Sequence, residues 1–160
     1  MAVQIRRATN QDVQSLAELY VEFHNFHASG LSTRLVTVEV VDDRLRSAIN
    51  QVLADPRAAI FVATVCEGVV GLVEVYLKET EPDAPVVQRR YAYLQSLAVT
   101  APRRYAGVGT QLVKAAQQWA HENGATEIEV ETWEFPAGPL RFYERLGYQT
   151  LKRQLVKRLP

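Results

Sequence analysis

Arg103-Arg104-Tyr105-Ala106-Gly107-Val108-Gly109-Thr110 is the stretch whose residue types and spacing point most directly to chemistry. Gly107 and Gly109 remove side chains where a backbone must approach something closely. The amides from Tyr105 to Thr110 open a helix, and a helix N-terminus carries roughly +0.5 of an elementary charge. Two arginines stand beside that end. The combination suits a phosphate or pyrophosphate; the plainer alternative is a tight turn with a solvated arginine pair. Two other nucleotide-binding spellings do not fit. A Walker A loop requires GxxxxGK followed by Ser or Thr, and no such string occurs. A dinucleotide fingerprint requires GxGxxG, and after Gly107 and Gly109 the third glycine position holds Leu112.

Such a turn needs a strand before it and a helix after it. YAYLQSLAV, ending at Val99, reads as the strand. Val108, Leu112, Ala115 or Ala116 and Trp119 line one face of a helix from Gly107 to about Glu122, stopped by Asn123-Gly124. Upstream, VQIRRAT is a short β-like opening, and Thr9 or Asn10 can cap a helix striped by Val13, Leu16, Leu19 or Tyr20 and Phe23. Val41, Leu45, Ile49, Val52 and Leu53 predict a second helix from about Thr37 to Ala54, ended by Asp55-Pro56. AAIFVATV and VVGLVEVYL, separated by Glu67-Gly68, predict a hairpin with one strand buried on both faces. KETEPDAPVVQRR is a loop. Downstream, EIEVETW alternates Ile128, Val130 and Thr132 against Glu127, Glu129 and Glu131. GPLRFYERL is a short helix closed by Gly147. YQTLKRQLVKRL predicts a final strand, an exposed edge whose Lys and Arg discourage pairing rather than an RNA-binding patch. Alternating strands and helices mean a mixed α/β sheet covered by helices.

The 160 residues, 48% of them hydrophobic, make one domain spanning 1–160 that needs neither disulfide nor metal to hold a core. Cys66 is the single cysteine, which excludes an internal disulfide and fits a reducing compartment. The N-terminus turns polar by its sixth residue and no apolar run nears the ~18 needed to span a bilayer, so a cytoplasmic location is expected. With 18 basic and 18 acidic side chains, neither nucleic acid nor a membrane is an expected partner. The charge is nevertheless uneven. Residues through Pro85 hold 7 basic and 12 acidic side chains, a balance of −5, and the remainder hold 11 and 6, a balance of +5.

Arg104-Tyr105-Ala106-Gly107-Val108-Gly109 resembles the Q/R-x-x-G-x-G/A pyrophosphate motif of the GNAT superfamily of acetyl-CoA-dependent N-acetyltransferases. Phe142-Tyr143-Glu144-Arg145-Leu146-Gly147-Tyr148, at the expected distance, resembles that family's FYEKLGF-type segment, and the order of elements over the whole chain is similar. The resemblance implies the GNAT fold: a mixed, mostly antiparallel sheet with a central parallel pair of splayed strands, here ending near Val99 and Trp133, and helices on both faces. It implies acetyl-CoA as cosubstrate and transfer to a primary amine by direct attack. The pantetheine arm would pair with the backbone of Leu97, Ala98 and Val99, and the pyrophosphate would sit on Arg104, Tyr105, Ala106, Gly107, Val108, Gly109 and Thr110. Leu97 would supply the N–H that polarises the thioester carbonyl. Tyr143 corresponds to the family tyrosine that protonates the leaving thiolate; its plainer role is a packed aromatic. Many relatives read WEFNxxAxxFY before this segment, where WEFPAGPLRFY places Pro136 and Pro139.

The general base is not singled out. Where some relatives carry a glutamate on the fourth strand, this chain has Gln95 and Ser96. Glu74, Glu131, His24, His27 and water remain open, each side chain having an ordinary structural role as its alternative. The His24–His27 spacing could seat a metal, but no third ligand accompanies it. The acceptor could be a metabolite, an antibiotic, a polyamine, an amino acid or a protein amine. Rival readings are a non-catalytic acyl-CoA-binding regulatory domain and transfer of a longer acyl chain. A homodimer is open by analogy. The +5 part holds both motifs, as a polyanionic cosubstrate favours, and the −5 part is expected to face a cationic amine.

Overall fold

The structure, a computed structural model, describes residues 2–66, 68–83 and 85–159. The hairpin turn expected at Glu67-Gly68 therefore falls partly outside them, at Glu67. In chain order the elements are β1 (Gln4–Arg7), α1 (Val13–Gly30), α2 (Asp43–Ala54), β2 (Ala58–Val65), β3 (Gly68–Glu79), β4 (Arg90–Val99), α3 (Val108–Glu122), β5 (Ile128–Val130) and α4 (Leu140–Arg145). The strands form one sheet in the order β1-β2-β3-β4-β5. Every neighbouring pair is antiparallel except β4 and β5, which are parallel. That parallel pair requires a crossover, and α3 is the crossover helix.

Period-two alternation divides the core in two. Leu16, Ala17 and Leu19 of α1 and Ile49 of α2 pack on Ile60, Val62, Leu72 and Ala98. On the opposite face Val108, Leu112, Val113, Ala116 and Trp119 of α3 pack on Val73, Val75, Leu77, Ala92 and Leu94. β3 thus has both faces covered, as its apolar run predicts. Leu16, Leu72, Leu94 and Leu112 are fully buried, so truncating any of them to alanine costs about 2–5 kcal/mol.

Two expected elements differ. The second helix begins at Asp43 instead of Thr37, because Asp42 caps it through a 2.8 Å bond from the Leu45 amide. Ahead of that cap, the Asn25 side chain binds both the N–H and the C=O of Val38, each at 2.8 Å, so this backbone is satisfied by α1 and not by a helix of its own. The expected final strand is also absent among the described residues. Residues 148–159 carry no sheet pairing, and 149–159 are exposed. The parallel pair consequently lies at the edge of the sheet.

Candidate active site

β4 and β5 part company early. Pairing runs through Ala92–Ile128, Tyr93–Glu129 and Leu94–Val130 and then stops, while β4 continues to Val99. β5 ends at Val130, short of the expected Trp133. At the same level β4 is bulged: Glu74 lies opposite Ser96 and Val75 opposite Leu94, which leaves Gln95 as the extra residue. The bulge inverts the strand's alternation. Ala92 and Leu94 face α3, whereas Ala98, and with it Ser96, faces α1 and α2. Further on, the Thr100 amide donates to the Val70 carbonyl on β3 at 2.9 Å. Counting back by alternation, the backbone of Ala98 also faces β3, and the N–H and C=O of Leu97 and Val99 face the gap. Arg104 Nε donates to the Val99 carbonyl at 3.0 Å, so the Leu97 edge is the stretch left for another partner.

The turn that follows is built for a backbone site. Gly107 caps α3 with φ 79°, and Tyr105, fully exposed, also has a positive φ of 63°. Gly107 is favoured there because a β-carbon penalises this conformation. The amides of Val108, Gly109 and Thr110 precede the first intrahelical bond, Gln111 N–H to Gly107 O, and Gly107 has no side chain to cap them. Gly109 serves a different need. A β-carbon there would lie 3.3 Å from Phe142 Cζ and 3.9 Å from Leu97 Cδ2, so α3, β4 and α4 meet at this point. Ala106 is exposed in the turn, and the Val108 side chain is buried beneath it. The Arg104 side chain turns towards α1: its guanidinium binds Glu22 at 3.0 Å and stacks 4.8 Å from the Phe26 ring centroid. Glu22 also accepts from the Ala101 amide at 3.0 Å.

Tyr143 is buried on α4, its ring 5.1 Å from that of Phe142 and 5.3 Å from that of Tyr148. Burial, and secondarily Tyr148, pushes its phenol well above the ordinary value of 10.0, so it holds its proton throughout the neutral range. Pro139 stands just before α4, its carbonyl accepting from the Phe142 and Tyr143 amides, and Pro136 lies outside the helix. The loop between β5 and α4 is fastened to α1 by Phe135. Its ring occupies the space a side chain at Gly30 would need and packs 5.7 Å from Phe26 and 5.8 Å from His27. Trp133 in this loop is half-exposed.

The four side chains considered as bases have very different surroundings. His24 Nε2 bonds the Val36 carbonyl at 2.7 Å and holds the α1–α2 loop. His27 Nδ1 bonds the Phe23 carbonyl at 2.9 Å among Phe23, Phe26 and Phe135. Glu131 is exposed. Glu74 is buried, and its two oxygens accept from Tyr20 Oη at 2.6 Å and Tyr76 Oη at 2.5 Å. Burial and the neighbouring carboxylate raise both tyrosines above their ordinary value, so both remain donors. Among the described residues no group of three His, Cys, Asp or Glu is placed to hold a metal. No helix among them is long and apolar enough to cross a membrane.

Residues 14–148 match the model of the Acetyltransferase (GNAT) family. The chain belongs to that family. A blasticidin-S acetyltransferase of Streptomyces morookaense is 39% identical over 64 residues, 39% of this chain and 46% of that enzyme. The match spans less than half the length of each of the curated relatives found. A mutant of the BH1408 protein of Bacillus halodurans has the same fold at a TM-score of 0.89, with 22% identity, covering 98% of this chain and 99% of the other. An aminoglycoside N-acetyltransferase solved with CoA superposes at a TM-score of 0.75, with 18% identity over 99% of this chain and 95% of the other.

In this GNAT chain, Leu97 and Phe142 both lie against Gly109, and the Tyr143 ring packs beside that of Phe142. Ala98 is turned away, and the Arg104 side chain is committed to α1. Reading by periodicity missed Tyr20 and Tyr76. Tyr20 falls on the apolar stripe of α1 and Tyr76 inside an apolar strand, and neither pattern reveals where a phenol oxygen points.

Proposed function

We propose that this GNAT protein is an N-acetyltransferase that moves the acetyl group of acetyl-CoA to a primary amine by direct attack in a ternary complex. The observation that carries the reading is the gap between β4 and β5, with the unpaired Leu97 edge on one side and the uncapped first turn of α3 at its end. These features fit an acyl-CoA. An amide-bearing arm satisfies the edge, and a pyrophosphate suits the amides of Val108, Gly109 and Thr110 together with the turn from Arg104 to Gly107. Bound acetyl-CoA supplies a thioester whose carbonyl carbon accepts a nucleophile. The Leu97 N–H is the donor that polarises its carbonyl oxygen. Tyr143 holds a proton available to the departing sulfur, a modest task because a thiol has a pKa near ~8.5.

An alkylamine with a pKa of ~10.4 is mostly protonated at neutral pH and must lose a proton before it attacks. Among the open alternatives we assign this proton to Glu74, directly or through one water. Its carboxylate is buried and oriented by two hydroxyl donors, and its register partner Ser96 adjoins Leu97. The acceptor we favour is a small cationic amine. The −5 part of the chain supplies α1, α2 and β3 around Glu74, and two of the proteins named above are acetyltransferases named for blasticidin-S and aminoglycosides.

The test is thiol release from acetyl-CoA across a panel of amines of recorded charge, with the product checked for one added acetyl group. Turnover highest with cationic amines supports the proposal. CoA binding without release under any amine would instead favour a regulatory domain, and a preference for longer acyl-CoAs would favour a different acyltransferase.

A further inference from the structure

Glu22 stands where its charge alone is unfavourable. A carboxylate beside the turn that is to receive a pyrophosphate repels that anion, yet the turn is built on this carboxylate. Its Oε1 accepts from the Ala101 amide and from Arg104 Nη2, each at 3.0 Å. Ala101 opens one 3₁₀ turn, Ala101–Arg103, to which Thr100 gives no side-chain cap. Glu22 therefore supplies from α1 the acceptor that this helical end lacks. Phe26 lies four residues further along α1 and so on the same face, with its ring centroid 4.8 Å from the Arg104 guanidinium. Arg104 Nε closes the arrangement on the Val99 carbonyl at 3.0 Å. One planar guanidinium thus joins the end of β4 to two side chains of α1, which uses its fork and its flat face together.

The segment that follows has little to fix it from within. Tyr105 and Gly107 have positive φ, 63° and 79°, and at Tyr105 that conformation costs energy that the surroundings must offset. Tyr105, Ala106 and Gly107 are all exposed, so packing does not hold them. Their path is set at the two ends, by buried Val108 on one side and by the ties on Ala101 and Arg104 on the other. The amides of Val108, Gly109 and Thr110 then point where the turn delivers them.

We propose, resting on the acetyl-CoA reading above, that Glu22 is a positioning residue of the cosubstrate site, and that the Arg104 side chain is a strut to α1 and not a ligand of the pyrophosphate. Glu22 holds Ala101 and Arg104 so that the turn presents its amides to the anion. Two residues earlier on the same helix, Tyr20 holds Glu74, so α1 orients the base and the cosubstrate turn together.

Calorimetric titration of CoA into the full chain gives the reference Kd, and the sign of the change separates positioning from plain electrostatics. If charge alone mattered, Glu22→Gln and Glu22→Ala would both tighten CoA, and an Arg104 freed to turn onto the phosphates would tighten it further. Positioning predicts the reverse. Glu22→Ala should weaken CoA about three- to tenfold, whereas Glu22→Gln still accepts from the Ala101 amide and should stay within about twofold of the parent. Arg104→Lys keeps the charge without the fork and should weaken CoA about as much as Glu22→Ala. The double variant, Glu22→Ala with Arg104→Lys, should be no weaker than either single one, because both break the same strut. The two side chains are partly exposed, so each variant is expected to keep the parent's far-ultraviolet spectrum. Unchanged or tighter CoA binding in Glu22→Ala overturns the proposal, as do equal effects of Gln and Ala or additive losses in the double variant. If Glu22→Ala folds poorly, Arg104→Lys decides alone, and unchanged binding there is the overturning result. A parent chain that binds no CoA removes the acetyl-CoA reading and this role with it, while a parent that binds CoA no better than its variants removes only the role of Glu22.

Discussion

The two faces of the sheet solve different problems. On the α3 face the buried core side chains are apolar, apart from the Tyr143 phenol. What this face offers a ligand is main chain: the Leu97 edge, the first turn of α3, and Gly109 where a side chain would collide with Phe142. The α1–α2 face holds buried polar groups instead. Glu74 and Ser96 lie under α1, His27 is within α1, and Asp12 stands at its start. Burying such groups is costly unless they are hydrogen-bonded, and the protein tolerates them on one side only. A backbone site suits a ligand that never changes, and side-chain chemistry suits proton transfer and choice of acceptor.

The sharpest way to break this contrast is Glu74→Gln, which preserves shape and still accepts from at least one of Tyr20 and Tyr76. Loss of the base should lower kcat/KM about 10²–10⁴-fold with little change in the KM for acetyl-CoA. A variant retaining nearly full activity would remove the chemical role from the α1–α2 face. Gly109→Val tests the other side. Its side chain must displace Phe142, so the KM for acetyl-CoA should rise on the order of tenfold to a hundredfold, while the KM for the amine moves far less. Initial-rate kinetics with each substrate varied in turn separate the two outcomes.

A smaller effect is expected at Tyr143→Phe, where kcat should fall by at most about tenfold because the thiolate leaves readily near neutrality. An unchanged kcat and pH profile would reduce Tyr143 to a packing residue of the apolar face. Asp12→Asn should alter stability rather than turnover. Arg6 binds the Asp12 carboxylate at 2.7 and 2.8 Å and, with the Thr9 amide, holds it below its ordinary value of 3.8. A lowered carboxylate contributes stability that is present above that ordinary value and is lost as pH falls through the folded one. Urea unfolding of Asp12→Asn should therefore show a loss of about 1–3 kcal/mol at pH 7, converging on the parent chain below about pH 4.

The site was legible unevenly. The backbone half was readable because glycine spacing, a helix stop and a strand ending at Val99 are local signals. The uneven charge is not concentrated in one place. Four of the eleven basic residues beyond Pro85 lie beyond Gln149, and Arg104 is paired to Glu22, so the +5 does not gather around the turn. The choice among Glu74, Glu131, His24 and His27 could not be read from residue type. It depends on phenol oxygens that arrive from α1, 54 residues away, and from two residues along the same strand.

Local pattern alone was enough for the family, the order of elements as far as α4, the glycine turn and the α3 stripe, since each rests on interactions within a few residues along the chain. Tertiary structure decided the rest: where β4 bulges at Gln95 and leaves β5, which carboxylate two tyrosines hold, and that residues 149–159 stand clear of the sheet they were expected to join. These depend on which distant surfaces meet and which buried polar atoms find partners, and periodicity within one segment carries no information about either.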